Sequence, residues 1–252
     1  MDLSLLEELI YIKSIPINSE NESLIREKIQ SLFFRAVNNR KNCGSISEAY
    51  YRKALITGCR DIIKQIKNFK ILTGENCGKA PADILSLLRT AAAACTFLLS
   101  PSISVKTEIP DDTQLKLMCS VDVILWCVLS LIGAAVSLTE NGKIRLTVWE
   151  TKSGAAVKVT GSLIFSLCDL EEELADHEDT VQLCRKAAQV HGGQFFSLYE
   201  KYGFSMGFTI VSEKLHCPTD ENLPPFSTVY DLISDRLSPL YAALNDAAPC
   251  LL

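Results

Sequence analysis

Residues 121–136 form the longest apolar run in the chain, and any fold of this sequence has to bury it. The run contains Asp122, Ser130 and Gly133, and it is shorter than the roughly 20 apolar residues that cross a bilayer. A chain of 252 residues, of which 48% are hydrophobic, is long enough to surround one such helix with a substantial core. We therefore interpret the run as a buried core helix, and we expect no contact with a membrane.

Charge and cysteine usage narrow the possible functions. The formal net charge of −5 argues against a nucleic-acid surface, because phosphate binding needs clustered Lys and Arg. The first residues lack a basic segment followed by an apolar one, so we expect no signal peptide and a cytoplasmic protein. The ten cysteines lack the paired spacing of a zinc site, and His216-Cys217 has no partner pair. We expect buried reduced thiols and no metal.

Residues 1–75 have an almost wholly helical pattern, interrupted at Pro16 and at the Asn-Cys-Gly turn of residues 42–44. A first helix at roughly residues 20–40 and a second helix after the turn should form a hairpin. In the second helix, apolar residues recur with alternating steps of four and three, as in the seam of a helical bundle. These residues are Leu55, Cys59, Ile62, Ile66 and Phe69.

A hairpin of this size leaves apolar surface uncovered, so pairing with a second copy would complete a four-helix bundle. The seam residues of the second helix are therefore predicted to form a homodimer interface. The alternative is that the same stripe packs on a second domain of its own chain. Residues 74–81, with two Gly and one Pro, are interpreted as the linker between the domains.

The rest of the chain alternates between helix and strand patterns. Its periodicity predicts a helical hairpin at 1–75, a second domain at 82–215 and a tail at 216–252 that carries an amphipathic helix kinked at Pro239. In the second domain the expected elements are a helix at 82–99, a strand at 104–109, the buried helix at 121–138, strands at 143–150 and 155–160, a helix at 181–190, and strands at 194–199 and 205–211.

This order of elements over residues 20–212 resembles the catalytic core of sensor histidine kinases. That core joins a dimerisation and phosphotransfer hairpin to an ATPase domain of the type shared with Hsp90, gyrase and MutL. The resemblance implies an α+β fold: a helical hairpin that forms a four-helix bundle as a dimer, followed by an α/β sandwich. The best local matches are residues 84–112, Asn-Gly-Lys-Ile at 141–144, Cys-Arg-Lys at 184–186 with His-Gly-Gly at 191–193, and residues 203–210.

The family's nucleotide-binding residues are missing from the matching positions. The second Asn of the family's buried helix binds magnesium. The matching segment here runs from Ser130 to Ala134, and Ala134, which stands at the position of that Asn, has no side-chain oxygen to bind a metal. The family's Asp-x-Gly-x-Gly motif contacts adenine and lets the chain approach the nucleotide. In this chain the corresponding strand continues into Gly161, Leu163 and Phe165. The carboxylate that accepts a hydrogen bond from adenine is therefore absent, and bulky side chains stand where the motif requires glycines.

Two further features of the family are absent. The family's lid carries a glycine-rich phosphate motif, whereas residues 167–180 contain seven acidic residues and no Gly, Lys or Arg, a charge that would repel a triphosphate. The family's hairpin carries a phosphorylated His followed by Glu. None of the three histidines lies in residues 20–70, and Asn21-Glu22 occupies that position by spacing. An amide nitrogen is not a nucleophile for phosphate at neutral pH.

The resemblance and its departures lead to one hypothesis and two alternatives. The hypothesis is a catalytically inactive, dimeric relative of the histidine kinases that has lost ATP and magnesium binding. Its partner, as the resemblance implies, would be a response-regulator receiver domain or a true histidine kinase. One alternative is a divergent kinase or phosphotransferase with unusual active-site residues. The other is a structural module that supports an assembly through its C-terminal helix.

Overall fold

The computed structural model describes residues 4–38, 46–75, 77–99, 102–109, 114–139, 142–162, 177–200, 203–212 and 228–245. Leu163, Phe165, most of the acidic run and residues 110–112, where a turn is expected, lie outside these ranges. The predictions made for them therefore stay predictions.

The N-terminal part consists of three helices. They are α1 (Ser4–Ser14), α2 (Glu22–Asn38) and α3 (Ile46–Thr73). The predicted hairpin of α2 and α3 is present, and α1 packs against both of its helices. The side chain of Leu9 lies so close to Gly58 that a Cβ on this glycine would stand 2.6 Å from Leu9 Cδ2. Glycine at this position of α3 therefore lets α1 approach the hairpin.

The predicted seam of α3 is covered within a single chain. Leu55, Cys59, Ile62 and Ile66 are all buried, and only Phe69 is partly exposed. The helices packed around α3 are α1, α2 and two helices from later in the chain. The four buried residues thus offer no surface to a second copy in this conformation, and the alternative packing within the chain is the one observed. A dimer interface through the seam stays a prediction that requires this packing to open.

The second part is a layer of helices on one face of a mixed sheet. Its elements are β1 (Ala80–Asp83), α4 (Ile84–Leu98), β2 (Ile103–Glu108), β3 (Lys116–Cys119), α5 (Val121–Ser137), β4 (Gly142–Thr151), β5 (Gly154–Ser162), α6 (Glu178–Val190), β6 (Phe195–Glu200) and β7 (Gly203–Val211). The main sheet has the order β2-β4-β5-β7-β6, in which only β2 and β4 run parallel. This α+β architecture agrees with the predicted fold class.

A small second sheet differs from the expected pattern. β1 and β3 pair antiparallel, with Ala80 opposite Cys119 and Asp83 opposite Lys116. β1 occupies the end of the predicted linker and the first two residues of the predicted helix. The carboxylate of Asp83 ends the strand and begins α4, because it accepts hydrogen bonds from the backbone N–H groups of Leu85 and Leu115, both at 3.1 Å.

The apolar run forms α5, and residues 123–136 of this helix are all buried. It packs against the sheet strands β4 and β5 and against helices α4 and α6. It also reaches the hairpin, because Trp126 Nε1 donates a hydrogen bond to Asn68 Oδ1 on α3 at 2.9 Å. The interpretation of residues 121–136 as a core helix is confirmed. Among the described residues, no helix is long and apolar enough to cross a membrane.

The C-terminal part forms two short helices where one kinked helix was expected. They are α7 (Val229–Ser234) and α8 (Pro239–Ala243). Pro239 stands in the first turn of α8, where its missing N–H costs no helical hydrogen bond. Its ring therefore starts a new helix instead of bending an existing one.

Candidate functional site

The positions that correspond to the family's nucleotide-binding helix lie on one face of α5. Ser130, Gly133, Ala134 and Ser137 have the spacing i, i+3, i+4 and i+7, so they stand above one another on the same side. Both Ser130 and Ala134 are buried, with 6% and 4% of their surface exposed. Protein therefore covers Ser130 and Ala134 on this face, whereas Ser137 at its end is only partly buried.

Three other elements cover this face. Lys64 comes from α3, His177 and Thr180 come from the start of α6, and Ala243 comes from α8. The space left between them is about 20 Å³. A single water molecule needs about 10–15 Å³, whereas pockets for small organic ligands measure about 300–1,000 Å³. The cavity between these described residues has room for about one water molecule, which is far less than a small-ligand pocket offers.

The chemistry of this face also differs from that of a magnesium nucleotide site. Mg²⁺ takes six oxygen ligands in a nearly ideal octahedron, and proteins supply them mainly as carboxylates and carbonyl or amide oxygens. Ala134 offers a methyl group, and Ser130 offers one hydroxyl. In the part of the chain that the structure describes, no group of three or more His, Cys, Asp and Glu side chains could hold a metal ion. The residues present do not fit the metal that the resemblance implies.

Gly161 lies near the end of β5 and packs against protein side chains. A Cβ at this position would stand 2.7 Å from the Phe204 ring and 3.0 Å from Thr139 Oγ1. The Thr139 hydroxyl donates a hydrogen bond to the carbonyl of Ser162 at 2.9 Å, which fixes the strand end against the loop after α5. The glycine therefore makes room for Phe204 of β7, a role in packing that needs no ligand.

The start of α6 carries negative charge where the family receives phosphate. Glu178 and Asp179 stand in the first turn of this helix. Helix N-termini attract anions through their N–H groups and their dipole. Two carboxylates already satisfy that preference, so a further anion would be repelled.

His191 is a buried structural residue at the end of α6. Its Nδ1 donates a hydrogen bond to the carbonyl of Ala187 at 2.8 Å, and its Nε2 accepts one from the backbone N–H of Ser120 at 3.0 Å. This pairing defines a neutral ring. Burial lowers the pKa of His191, an effect that the Ala187 carbonyl only partly opposes. The ring joins α6 to the start of α5 and has no free nitrogen for catalysis.

The position that matches the family's phosphorylated His-Glu pair is also engaged in local contacts. Asn21 Nδ2 donates a hydrogen bond to the carbonyl of Pro16 at 3.1 Å. Glu22 forms ion pairs with Arg26 at 2.6 Å and with Lys70 at 2.8 Å. Burial raises the pKa of Glu22, but the hydrogen bonds from Lys70 and Arg26 outweigh it and leave the pKa below its ordinary value. The ion pair between Glu22 and Lys70 connects α2 to the end of α3.

A larger cavity lies between the end of α3 and the first turn of α5. It measures about 90 Å³ and is lined by Lys67, Lys70, Glu75 and Asp122, together with the apolar Ile71 and Val123. Two cations and two carboxylates balance one another, so the cavity favours neither sign of charge. It was not predicted, because its residues are far apart in the sequence and have no common motif.

Sequence reasoning also missed the contribution of α8 to the candidate site. Gly133 was an available signal, because a glycine inside a helical pattern often marks a close approach by another backbone. A Cβ at Gly133 would stand only 2.5 Å from the carbonyl oxygen of Ala243.

Comparison with solved structures identifies the fold. Full-length ShkA in complex with AMPPNP is similar over 79% of this chain and 47% of its own, with a TM-score of 0.57 and 15% identity. The histidine kinase AdeS of Acinetobacter baumannii is similar over 76% of this chain and 98% of its own, with a TM-score of 0.49 and 11% identity. No protein-family model and no curated protein matches the sequence.

The helical hairpin followed by the α/β layer is therefore an architecture that this chain shares with ShkA. More particularly, the chain has the fold of a histidine kinase catalytic core. It spans about half the length of ShkA.

Proposed function

We propose that this protein is a catalytically inactive relative of the histidine kinases that acts by binding a signalling partner. The observation that carries the proposal is how the α5 face with Ser130 and Ala134 is occupied. Ala134 replaces the metal ligand there, and α3, α6 and α8 leave only about 20 Å³ beside it. A catalytic core that neither admits a nucleotide nor holds magnesium has no phosphoryl donor of its own.

Calorimetric titration with ATP and with ADP, each at millimolar concentration and in the presence of Mg²⁺, tests this proposal. We expect no saturable heat, because the cavity has room for one water molecule and lacks the metal ligand. Repeating the titration with EDTA in place of Mg²⁺ separates metal-dependent binding from weak nonspecific association. A saturable isotherm that disappears with EDTA would show that the site works and would overturn the proposal.

The competing function is a divergent kinase or phosphotransferase. It requires a phosphorylatable side chain in residues 20–70, a range that contains no histidine. Incubation with labelled ATP, and separately with a phosphorylated receiver domain, tests both routes. Acid-labile label on this chain would support the competing function, and the absence of label in both reactions supports the inactive core.

The partners belong to the same proposal. Helices α1 and α2 have exposed apolar side chains on their outer faces, including Ile10 at 61% and Phe34 at 69% exposure. A receiver domain or a histidine kinase would bind in this region, and a homodimer would use it as long as the seam of α3 stays buried. Titration with the receiver domain encoded nearest to the gene measures the first interaction.

A further inference from the structure

Residues 228–245, which we call the C-terminal latch, contact both parts of the molecule. Helix α7 packs on α4, and α8 packs on both α3 of the hairpin and α5 of the α/β part. Leu240 and Leu244 are completely buried in this junction, and Leu232 is 3% exposed. Elsewhere the two parts meet where α6 packs on α3 and at the Trp126–Asn68 hydrogen bond.

Polar contacts attach the latch to the middle of α3. Arg60, which is 3% exposed, donates a hydrogen bond from Nε to the carbonyl of Arg236 at 3.2 Å. Its guanidinium also stacks on the Tyr241 ring, 4.8 Å from the ring centre, an arrangement that gains electrostatic energy when it is shielded from water. One turn away, Asn245 Nδ2 donates to the carbonyl of Thr57 at 3.2 Å and to Asp61 Oδ1 at 2.6 Å.

The attachment to α5 is a close contact between backbones. The carbonyl oxygen of Ala243 lies over Gly133, at a place where any side chain would collide with it. Ser130, Ala134 and Ser137 flank this contact on the same helix face. The latch therefore covers the surface that the resemblance assigns to a nucleotide, and it does so because α5 carries no side chain at residue 133.

The latch has its own internal hydrogen bonds. Thr228 and Asp231 form a reciprocal capping box at the start of α7. The Ser238 hydroxyl donates to the carbonyl of Leu232 at 2.6 Å, and the Tyr241 hydroxyl donates to that of Ile233 at 3.1 Å. Helices of six and five residues are too short to be stable alone, so docking must maintain this conformation.

We propose that the C-terminal latch is an intramolecular lock. It closes the face of α5 that carries Ser130, Gly133 and Ala134 and fixes the helical hairpin against the α/β part, so the protein works as one rigid body. Release of the latch would separate α3 from α5 without unfolding the sheet. This proposal goes beyond the loss of nucleotide binding and does not depend on it, because an inactive core could equally have two mobile parts.

The Gly133→Ala variant of the full chain is the sharpest test. The added methyl group meets the Ala243 carbonyl and should displace α8, whereas alanine is a better residue than glycine for α5 itself. Hydrogen–deuterium exchange with mass spectrometry should show amides of residues 240–245 and 57–61 exchanging at least about tenfold faster, which corresponds to about 1.4 kcal/mol. Amides of β4 and β5 should keep their exchange rates.

A matched pair of tyrosines on the latch provides the second variant and its control. Tyr241→Ala removes the ring under Arg60, and Tyr230→Ala removes a ring that is 72% exposed. Tyr241→Ala should reproduce the faster exchange at residues 57–61, and Tyr230→Ala should behave as the wild type.

Three results would overturn the proposal. In the first, the latch amides of the wild type exchange at the rate of an unfolded chain, which would mean that the latch is not docked on the rest of the protein. In the second, residues 57–61 stay as protected in both test variants as in the wild type, which would mean that the latch does not fix α3 against the α/β part. In the third, either variant loses amide protection in β4 and β5 to the same extent as in α3, which would mean that residues 228–245 unfold together with the whole core.

Discussion

At the scale of single residues, the positions that the resemblance assigns to a nucleotide site have packing roles in the structure. Gly161 and Gly133 both make room for protein atoms, a phenylalanine ring in one case and a backbone carbonyl in the other. Ala134 is buried where the family has a metal ligand. Each of these three residues is therefore explained by close packing within the chain.

His191 gives a prediction about pH. Burial lowers its folded-state pKa below the ordinary value of about 6.5, so the unfolded chain binds the proton more readily. The stabilisation from the neutral buried ring should be complete above about pH 6.5 and should be lost as the pH falls toward the folded-state pKa. We expect the free energy of unfolding, measured in urea between about pH 8 and about pH 5, to decrease over that interval.

The His191→Phe variant is the control for this prediction. It keeps a ring but leaves the N–H of Ser120 without its acceptor, so it should lose about 1–3 kcal/mol of stability at about pH 8. Its stability should change less over the same pH interval than that of the wild type. Parallel pH profiles in the two proteins would show that other groups cause the dependence.

At the scale of elements, most helices and strands could be predicted from periodicity, and the family resemblance predicted how they are arranged. The strands of the main sheet alternate apolar and polar residues, and α5 stands out because it is apolar on all sides. The pattern was weak where an element is only four residues long, as in β1 and β3, because so short a segment defines no period. The start of β1 also contains Pro81, and proline rarely occurs inside strands.

The candidate site was only half predictable. Motif positions identified Ser130, Ala134 and Gly161, because their order along the chain matches that of the family. The covering elements could not be predicted, since no sequence rule says that Lys64, 66 residues before Ser130, and Ala243, 113 residues after it, meet at one helix face. Long-range packing of this kind depends on the shape of the whole core.

The packing of α1 on α3 gives a prediction about the stability of the protein. Leu9 is 5% exposed and contacts Gly58, whereas its neighbour Ile10 is 61% exposed. Leu9→Ala should destabilise the protein by about 2–5 kcal/mol, because it leaves a cavity between α1 and α3. Ile10→Ala should change stability by less than about 0.5 kcal/mol. Urea unfolding followed by circular dichroism measures both, and equal effects would mean that α1 is not held as described.

At the scale of the whole molecule, one chain already completes much of the core that a second copy was expected to supply. Helices α1, α2, α6 and α8 all pack on α3, and the predicted seam residues Leu55, Cys59, Ile62 and Ile66 are buried. While this packing stays closed, the homodimer proposed above would form through the outer faces of α1 and α2. Such an interface would be smaller and more polar than a bundle core, and it should dissociate on dilution.

Light scattering during size-exclusion chromatography measures the assembly directly. We expect a mass near twice the 27.8 kDa of one chain at high concentration, decreasing on dilution. Phe34→Glu should shift the equilibrium to the monomer by placing a charge in the interface, and Tyr230→Glu, away from the hairpin, should not. A mass of one chain at every concentration would exclude the homodimer.

The chain contains two tryptophans, and their placement has a practical consequence for spectroscopy. Trp126 is 1% exposed at the contact between α5 and α3, while Trp149 is 40% exposed on the sheet. The indole emission of the first should be blue and resistant to acrylamide quenching, and that of the second should be red and readily quenched. A Trp149→Phe protein would thus carry a single optical reporter at the junction of its two parts.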